Sequence, residues 1–369
     1  MNFLSVPVFL FDFVNPLDVA FGWMTRIFYE FFGSYGIAII VLTIVIRGLL
    51  IPLNVRSQRS MMKSQTLSSQ QAEIRRKYPD DKAKQNEELS KLMSENGAQS
   101  FTGCILPFLQ IFFIWPIFNV VRNPLQYLTQ ISTENIKNLG TFLFESGAIT
   151  KAENAQVAAN NIPIIRAFQH NASLLADAVG KGFIKLGQMV DLNFLGIDLS
   201  MQPEWKPNVL FGSEWRTYVP LLVIPILVLV STLIQMQIAN ILKPNYKADK
   251  EAKARAKLNP ARKDQVAENP MENSMKIMNW AMPVIMLVTT FTLPSAMGLY
   301  WLIGNIMAII QQFVIYILFT KPFEAKKAEM AILKAHAFSK TADAAVLAGG
   351  MEALPGKSGN RSNKGGKRH

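Results

Sequence analysis

Cysteine, histidine and acidic residues within apolar runs are all scarce in this sequence. Its 369 residues include one cysteine, Cys104, and three histidines, His170, His336 and His369. A single thiol excludes an intramolecular disulfide framework and a zinc site built from several thiolates. The five long apolar runs contain no Asp or Glu, so a carboxylate proton relay inside a membrane has no residues to use.

Signatures of catalysis are also lacking. The sequence has no serine nucleophile elbow, no phosphate-binding loop and no HExxH zinc motif. All three histidines lie outside the apolar runs. We therefore expect a protein that is not an enzyme and that uses no metal ion or other cofactor.

Long apolar runs are what the sequence does have. Half of its residues are hydrophobic and 24 are Phe, which is more apolar surface than a soluble domain can hide. A bilayer core about 30 Å thick needs roughly 20 apolar residues in a helix. We predict an all-α integral membrane protein with five transmembrane helices, at 34–54, 101–121, 217–238 and, as a hairpin of two, 277–319.

Charge is distributed unevenly between the segments that join these runs. Basic residues outnumber acidic ones by nine to six in 54–100, nine to five in 239–276 and ten to four in 320–369. Segment 122–216 holds eight of each, and residues 1–33 hold one Arg against three acids. The positive-inside rule then predicts an N-terminus and a segment 122–216 outside the cell, with the C-terminus in the cytoplasm.

The joining segments carry weaker patterns. Residues 1–33 lack the features of a signal peptide and predict an interfacial helix, with Asp18, Thr25 and Arg26 off its apolar face. Segment 55–100 predicts a cytoplasmic helical hairpin, Val55 to Tyr78 and Lys82 to Asn96. A thin apolar stripe along it is formed by Met61, Met62, Leu67, Ile74, Leu89, Leu92 and Met93. Segment 239–276 predicts a polar cytoplasmic linker, and 320–369 a basic disordered tail.

Arg47 lies within the first apolar run. A guanidinium there needs water, a partner or a polar substrate, because it cannot lose its proton. Thr43 lies one helical turn earlier, and further polar residues lie at similar depth in other runs, namely Gln110, Ser231, Gln235, Tyr300, Trp301 and Asn305. Together they predict a water-filled hollow around Arg47. Two alternatives stay open: Arg47 can snorkel to the interface, and each polar residue can be a helix-packing contact.

Several long motifs resemble the YidC family of membrane-protein insertases. They are VLTIVIRGLLIPLNVRSQRSM, EIRRKYPDDKAKQNEELSKLMSENG, GCILPFLQIFFIWPIFNVV, FLGIDLS and MKIMNWAMPVIMLVTTFTLPSAMGLYWLIGNIMAIIQQ. The resemblance covers roughly 35–125 and 192–320, in the family's order. It implies a positively charged groove, open to cytoplasm and lipid, that contains Arg47, Thr43, Gln110, Tyr300, Trp301 and either Gln235 or Gln237, with Gln235 preferred.

The resemblance also implies a function and partners. We expect a bacterial plasma-membrane protein that inserts nascent membrane proteins into the lipid bilayer and receives them from the ribosome. Whether the Sec translocon is a partner is left open. Unlike many short relatives, the chain has no lipid-anchored N-terminal cysteine, and its outer segment 130–190 is longer than usual. From the residues alone, an anion channel or transporter with Arg47 as its selectivity charge is the alternative, and a structural chaperone a third.

Overall fold

Helices make up most of the described chain in this computed structural model. It describes residues 11–97 and 113–337, apart from 244–245, 247–249, 252–253, 256–257, 260–269, 327 and 334–335. Contacts divide the chain into two units, Met1–Tyr316 and Ile317–His369. In the second unit the described residues, up to 337, are helical.

The described residues of the first unit form α-helices and one small β-hairpin, with a short 3-10 helix at Leu186–Gln188. In chain order they are α1 (Phe11–Phe32), α2 (Tyr35–Leu49), α3 (Ile51–Thr66), α4 (Ser68–Lys77), α5 (Lys82–Glu95), α6 (Phe113–Arg122), α7 (Pro124–Tyr127), α8 (Thr133–Glu145), α9 (Lys151–Gln156), α10 (Ile162–His170), α11 (Ala172–Gly180), β1 (Asn193–Phe194), β2 (Ile197–Asp198), α12 (Pro207–Leu210), α13 (Trp215–Leu221), α14 (Val223–Ile241), α15 (Pro270–Thr292) and α16 (Ser295–Ile315).

Two helices in the described chain are long and apolar enough to cross a bilayer, Trp215–Ile241 and Ser295–Leu333. A third is added if the bent pair α2 and α3 counts as one span. Phe113–Arg122 and Trp280–Thr292 are shorter apolar helices, and the first adjoins residues outside the described ranges. The fold is thus a mainly helical membrane protein with two to three span candidates, and a count of five stays a prediction.

The first apolar run is bent where the sequence predicts one continuous helix. The axes of Tyr35–Leu49 and Ile51–Ser60 meet at 45°. Pro52 has no backbone N–H to donate to the carbonyl four residues earlier, and its ring crowds that turn. The break follows Arg47 by less than one turn, so it directs α3 away from the axis of α2.

Helix α1 packs on α6 and α7 through a face that includes polar residues. Asp18 and Thr25 are buried, whereas Phe31 is 80% exposed. Asn119 donates a 2.9 Å hydrogen bond to Asp18, and the hydroxyl of Thr25 donates to the carbonyl of Phe21. The expectation that Asp18 and Thr25 lie off the apolar, packed face is therefore wrong. Hydrogen bonds replace the water lost by Thr25 and by Oδ2 of Asp18, whereas Oδ1 of Asp18 is buried without a donor among the described residues.

Segment 122–216 contains its own small helical core. The side chains of Ile136, Leu139 and Leu143 from α8 and of Ile164 and Ile165 from α10 are fully buried there. A Cβ on Gly140 would lie 2.7 Å from Val157, so a small residue is needed where α8 meets α9. The loop after α9 is tied to the end of α6, because Asn161 donates to the carbonyl of Arg122 at 2.8 Å.

A β-hairpin packs over the beginning of α2. Asn193 pairs with Asp198 and Phe194 with Ile197, and both turn residues, Leu195 and Gly196, have positive φ, as a type I′ turn requires. Just beyond the hairpin, the carbonyls of Leu199 and Met201 accept hydrogen bonds from the backbone of Ala296 and Ser295. The first turn of α16 is thereby fixed to the segment that precedes α12.

The segment predicted as one helix from Val55 to Tyr78 is two helices, α3 and α4, joined at Leu67. Helix α5 packs beside α4, and Gln71 donates a hydrogen bond to the sulfur of Met93 at 3.3 Å. Met62 and Leu67 are buried. Ile74, Leu89, Leu92 and Met93 are partly exposed, so the described part of the apolar stripe is covered mainly at Met62 and Leu67.

Candidate functional site: a polar cavity around Arg47

A cavity of about 160 Å³ lies between α2, α3, α6, α14 and α16. Six of its lining side chains are polar, namely Arg47, Asn54, Gln58, Gln235, Gln311 and Gln312, and Tyr300 adds a hydroxyl. The other lining residues are Ile46, Leu50, Phe113, Ala239 and Ala308. A polar cavity between apolar helices is what a guanidinium needs if it is to stay charged at membrane depth.

Arg47 is half-buried in this wall and packs against the backbone of α16. A Cβ on Gly304 would lie 2.7 Å from Nη2 of Arg47 and 3.3 Å from Nε. Glycine at 304 therefore makes room for the guanidinium at the surface of the neighbouring helix. The side chain also faces the hydroxyl of Tyr300, with which it interacts electrostatically.

Of the six predicted site residues, the structure brings three together. Arg47, Gln235 and Tyr300 all line the cavity. Gln235 rather than Gln237 does so, since Gln237 is exposed on another face of α14. Of these two glutamines, Gln235 is therefore the one that we keep as a predicted site residue.

The other three predicted site residues are placed differently. Thr43 is fully buried and its hydroxyl donates to the carbonyl of Ile39 at 2.7 Å, so it is not part of the cavity lining. Trp301 is 5% exposed and also lies outside the lining; its Nε1 has no acceptor among the described residues. Gln110 lies outside the described residues.

Sequence reasoning missed four lining amides, Asn54, Gln58, Gln311 and Gln312. Asn54 donates to Oε1 of Gln311 at 3.1 Å, which joins α3 to α16 across the cavity. Arg47, Asn54 and Gln58 are spaced by seven and four residues, the spacing of one helical face. That periodicity was the available signal, and it continues past the end of the apolar run.

Asn305 occupies a different position from the one expected of a site residue. Its Nδ2 donates to Ser231 Oγ at 3.0 Å and to Thr232 Oγ1 at 2.9 Å. Both hydroxyls are buried, and both in turn donate to the carbonyl of Val228. Among the predicted polar residues this group is a helix-packing contact between α14 and α16.

The cavity ends below a buried layer. On α16 the consecutive residues from Ser295 to Trp301 are all buried, and only Tyr300 of these lines the cavity. The hydroxyl of Tyr35 donates to the carbonyl of Val121 at 3.1 Å, which joins α2 to the end of α6 in the same layer. Apolar packing thus separates the cavity from segment 122–216 at this end.

A known protein family matches a part of the chain that includes the whole of this site. Residues 27–322 match the profile of the family described as 60Kd inner membrane protein. The chain belongs to this family. All residues that line the cavity around Arg47 fall inside the matched range.

Individual relatives match over a shorter region. The chain is 37% identical over 108 residues to a protein of Aquifex aeolicus, 34% over 101 residues to one of Caldanaerobacter subterraneus and 43% over 99 residues to one of Prochlorococcus marinus. Each is named membrane protein insertase YidC. These matches cover 29%, 27% and 26% of this chain and 21%, 49% and 26% of the respective relatives. The aligned part is therefore about half of a relative's length or less.

Proposed function

We propose that this protein is a membrane-protein insertase. It moves short-tailed membrane proteins into the bilayer through a positively charged groove that is open to the cytoplasm and to lipid. The observation that carries the proposal is the half-buried Arg47 in a wall of polar side chains between apolar helices. Family membership and the names of the relatives support it.

The groove works by shortening the hydrocarbon that a substrate's polar tail must cross. An opposite charge 4 Å away is worth about 4 kcal/mol at an effective dielectric of about 20, against about 1 kcal/mol in water. Arg47 therefore attracts the acidic residues of the tail. The lining amides of Gln58, Gln235 and Gln312 replace part of the water that the tail loses.

The substrate's own apolar helix supplies the driving force. At the centre of a membrane helix, Leu, Ile or Phe contributes about 0.3 to 0.6 kcal/mol, so ten of them supply about 5 kcal/mol. One acidic residue at that depth costs about 2.5 to 3.5 kcal/mol. One span can thus balance a tail with one or two charges but not a long polar domain, and no nucleotide is required.

The proposal includes an arrangement in the membrane. Five spans form the bundle in the bacterial plasma membrane, with the N-terminus and 122–216 outside and the C-terminus in the cytoplasm. The charge asymmetry between these segments supports this orientation. Nascent membrane proteins are the substrates, the ribosome delivers them to the cytoplasmic side, and the Sec translocon is an additional partner to be tested.

Insertion by purified protein tests the proposal. Liposomes containing the protein are mixed with a single-span substrate whose short outer tail carries two acidic residues, and protease is then added outside. The expected result is a tail fragment that is protected only when the protein is present. Equal protection in empty liposomes would overturn the proposal.

Ion flux separates this function from the alternative. A channel or transporter with Arg47 as its selectivity charge gives a steady chloride flux across sealed vesicles. The insertase, whose cavity ends at the buried layer beginning at Ser295, gives none. The comparisons give no support to the channel. A steady chloride flux that Arg47→Ala removes would replace the insertase with the channel.

A further inference from the structure

A second and larger cavity, of about 940 Å³, lies beyond the buried layer. It is enclosed by the end of α6, the loop from Ala158 to Ile162, Arg166 of α10, the segment Ser200–Glu204, Tyr218 of α13 and the turn Phe291–Pro294. It shares no lining residue with the cavity around Arg47. The two are therefore separate sites on opposite sides of the buried layer.

Two arginines line this second cavity without a carboxylate partner. Neither Arg122 nor Arg166 lies within 4.0 Å of an acidic side chain among the described residues. The one acidic lining residue, Glu204, is paired with Lys206 at 3.2 Å, and Glu153 is near Arg166 without forming an ion pair. The cavity wall is left with two guanidiniums that an anion can neutralise.

Arg122 is held in place by its surroundings. Its guanidinium lies over the ring of Phe118, 4.9 Å from the ring centre, and its backbone carbonyl accepts from Asn161. Arg122 is half-buried, so its charge is partly withdrawn from water. A fixed, partly desolvated guanidinium favours a planar two-point contact with phosphate or carboxylate.

A buried acceptor lies in the same wall. The Nδ2 atom of Asn123 donates to the carbonyls of Asn119 and Ala159 at 3.0 and 3.2 Å. Two carbonyl partners fix the amide orientation, so the other atom is Oδ1. This Oδ1 is buried and has no donor among the described residues, while the residue is only 5% exposed. A ligand that fits here offers a hydroxyl or ammonium beside its anionic group.

We propose that this cavity binds the phosphodiester headgroup of a phospholipid from the outer leaflet. The phosphate lies between Arg122 and Arg166, and the headgroup hydroxyl or amine donates to Asn123. Aromatic side chains surround the site where the apolar helices end, namely Trp115, Phe118, Tyr218 and Phe291, as in the interfacial belts of membrane proteins. This site is distinct from the insertion groove, so binding of the headgroup is tested independently of insertion; only its assignment to the outer leaflet rests on the orientation in the proposed function.

A lipid explains this combination better than an acidic peptide does. A peptide carboxylate would use the arginines but supplies no reason for an aromatic rim at the end of α6 and at the turn Phe291–Pro294. The headgroup of a membrane phospholipid lies at the membrane surface, where such aromatic residues are found, and it brings both an anion and a hydrogen-bond donor. The volume of the cavity is also within the range of small-molecule sites, about 300 to 1,000 Å³.

Thermal unfolding of the full chain in detergent, after removal of lipid, tests the site. Phosphatidylglycerol is added in one arm, diacylglycerol with the same acyl chains in a second, inorganic phosphate in a third and a short polyglutamate peptide in a fourth. The expected result is a rise in the unfolding temperature with phosphatidylglycerol alone. A matched rise with any of the other three would overturn the assignment to a phospholipid.

Two variants and a control locate the contact. Arg166 makes no side-chain hydrogen bond within the described chain, so Arg166→Gln should fold normally. It should weaken phosphatidylglycerol binding about tenfold, and Arg122→Gln with Arg166→Gln about a hundredfold, because a charge-assisted contact is worth roughly one decade of affinity or more. Arg216→Gln is the control, since Arg216 is exposed over Trp215 and does not line the cavity.

Each outcome decides the proposal. It is supported if lipid binding falls in Arg166→Gln and is retained in Arg216→Gln. Equal binding by Arg166→Gln and the unmodified protein would overturn it, and so would equal losses in Arg166→Gln and Arg216→Gln, which would indicate a diffuse charge effect.

Discussion

Arg47 of α2 packs against α16 at a position where α16 has a glycine, which leaves room for the charged guanidinium. Gly304 has no side chain, and the guanidinium occupies the space that a Cβ would take. The cavity around it offers amides, a tyrosine hydroxyl and room for water, but no carboxylate among the described lining residues. A cation without a resident anion is available to an incoming anionic group.

The charge of Arg47 should matter more than its hydrogen-bonding geometry. Substrate tails differ, so a fixed two-point contact cannot fit all of them, and Lys offers the same charge from a shorter side chain. We expect Arg47→Lys to keep more than half of the insertion activity, and Arg47→Glu to lose at least tenfold for acidic tails. Protease protection in liposomes measures both, with a neutral-tailed substrate as the control. Equal losses in two folded variants would disprove this explanation.

Asn305 should contribute to stability rather than to insertion. It donates to hydroxyls on α14 from the middle of α16, and hydrogen bonds between membrane helices contribute about 0.6 kcal/mol on average and up to about 1.7. We expect Asn305→Ala to lower the free energy of unfolding by about 1 kcal/mol, measured by unfolding in detergent.

Ile306→Ala is the matched control for Asn305→Ala. Ile306 is the next residue on α16 and is 42% exposed, so its truncation removes less packing than that of a fully buried residue and leaves the hydrogen bonds of Asn305 in place. An unfolding free energy of Asn305→Ala equal to that of the unmodified protein would show that the hydrogen bonds of Asn305 contribute nothing measurable.

At this scale the sequence predicted residue types better than their contacts. Arg47, Gln235 and Tyr300 could be found because polar residues stand out in apolar runs. Thr43 could not be excluded by pattern, because its hydroxyl is used by its own helix, at the carbonyl of Ile39. Whether a threonine turns inward to the backbone depends on the local rotamer, which composition does not contain.

Helix breaks were the main difference at the scale of elements. Hydropathy gives the length of an apolar run but not its direction, so the 45° bend between α2 and α3 was not predicted. Pro52 was visible in the sequence, but a proline in the first turn of a new helix and one inside a kinked helix look alike there. Asn54 and Gln58 lie beyond the bend and still line the cavity with Arg47. They were missed because the helical spacing that connects them to Arg47 was not followed past the end of the apolar run.

In the helical hairpin of α4 and α5, by contrast, the break between the two helices could be predicted and the side-chain contacts could not. Its turn and its second helix begin where Pro79 and Asp81 indicate. Two methionines of its apolar stripe make contacts inside the protein, because Met62 is buried and Met93 accepts a hydrogen bond from Gln71. A stripe predicts burial, but the sequence does not say which surface covers it.

The cap at Asp81 should control the stability of α5. Its carboxylate accepts from the backbone N–H of Lys84 at 3.0 Å, and replacing such a cap by Ala costs about 1 kcal/mol. We expect Asp81→Ala to speed hydrogen exchange about fivefold at the first amides of α5, from Lys84 to Asn86, measured by mass spectrometry. Asp80→Ala is the control, because Asp80 is exposed and caps no helix. Equal acceleration in both variants would rule out capping.

At the scale of the whole molecule, we propose that the hairpin 55–96 and the tail 320–369 form a cytoplasmic capture region for substrates. The hairpin segment 55–96 begins within α3, whose first turns line the cavity through Asn54 and Gln58. The tail 320–369 carries ten basic residues against four acidic ones, and five of the basic residues lie in 355–369. Because α3 connects the hairpin to the groove, we expect the hairpin to act in insertion. Because positive charge is distributed along the tail, we expect the tail to bind phosphate-rich partners.

Removing each region separately should distinguish these roles. Deletion of 355–369 removes five basic residues, so it should weaken co-sedimentation with ribosomes at low salt and leave insertion of a released substrate largely intact. A tail of unchanged length with Lys357, Arg361, Lys364, Lys367 and Arg368 replaced by Gln should behave the same, because charge and not length is responsible. Replacing 78–81 by two glycines should instead impair insertion at least threefold, since α4 and α5 would lose the fixed turn that joins them. If the tail deletion abolished insertion while the shortened hairpin had no effect, the two roles would have to be exchanged.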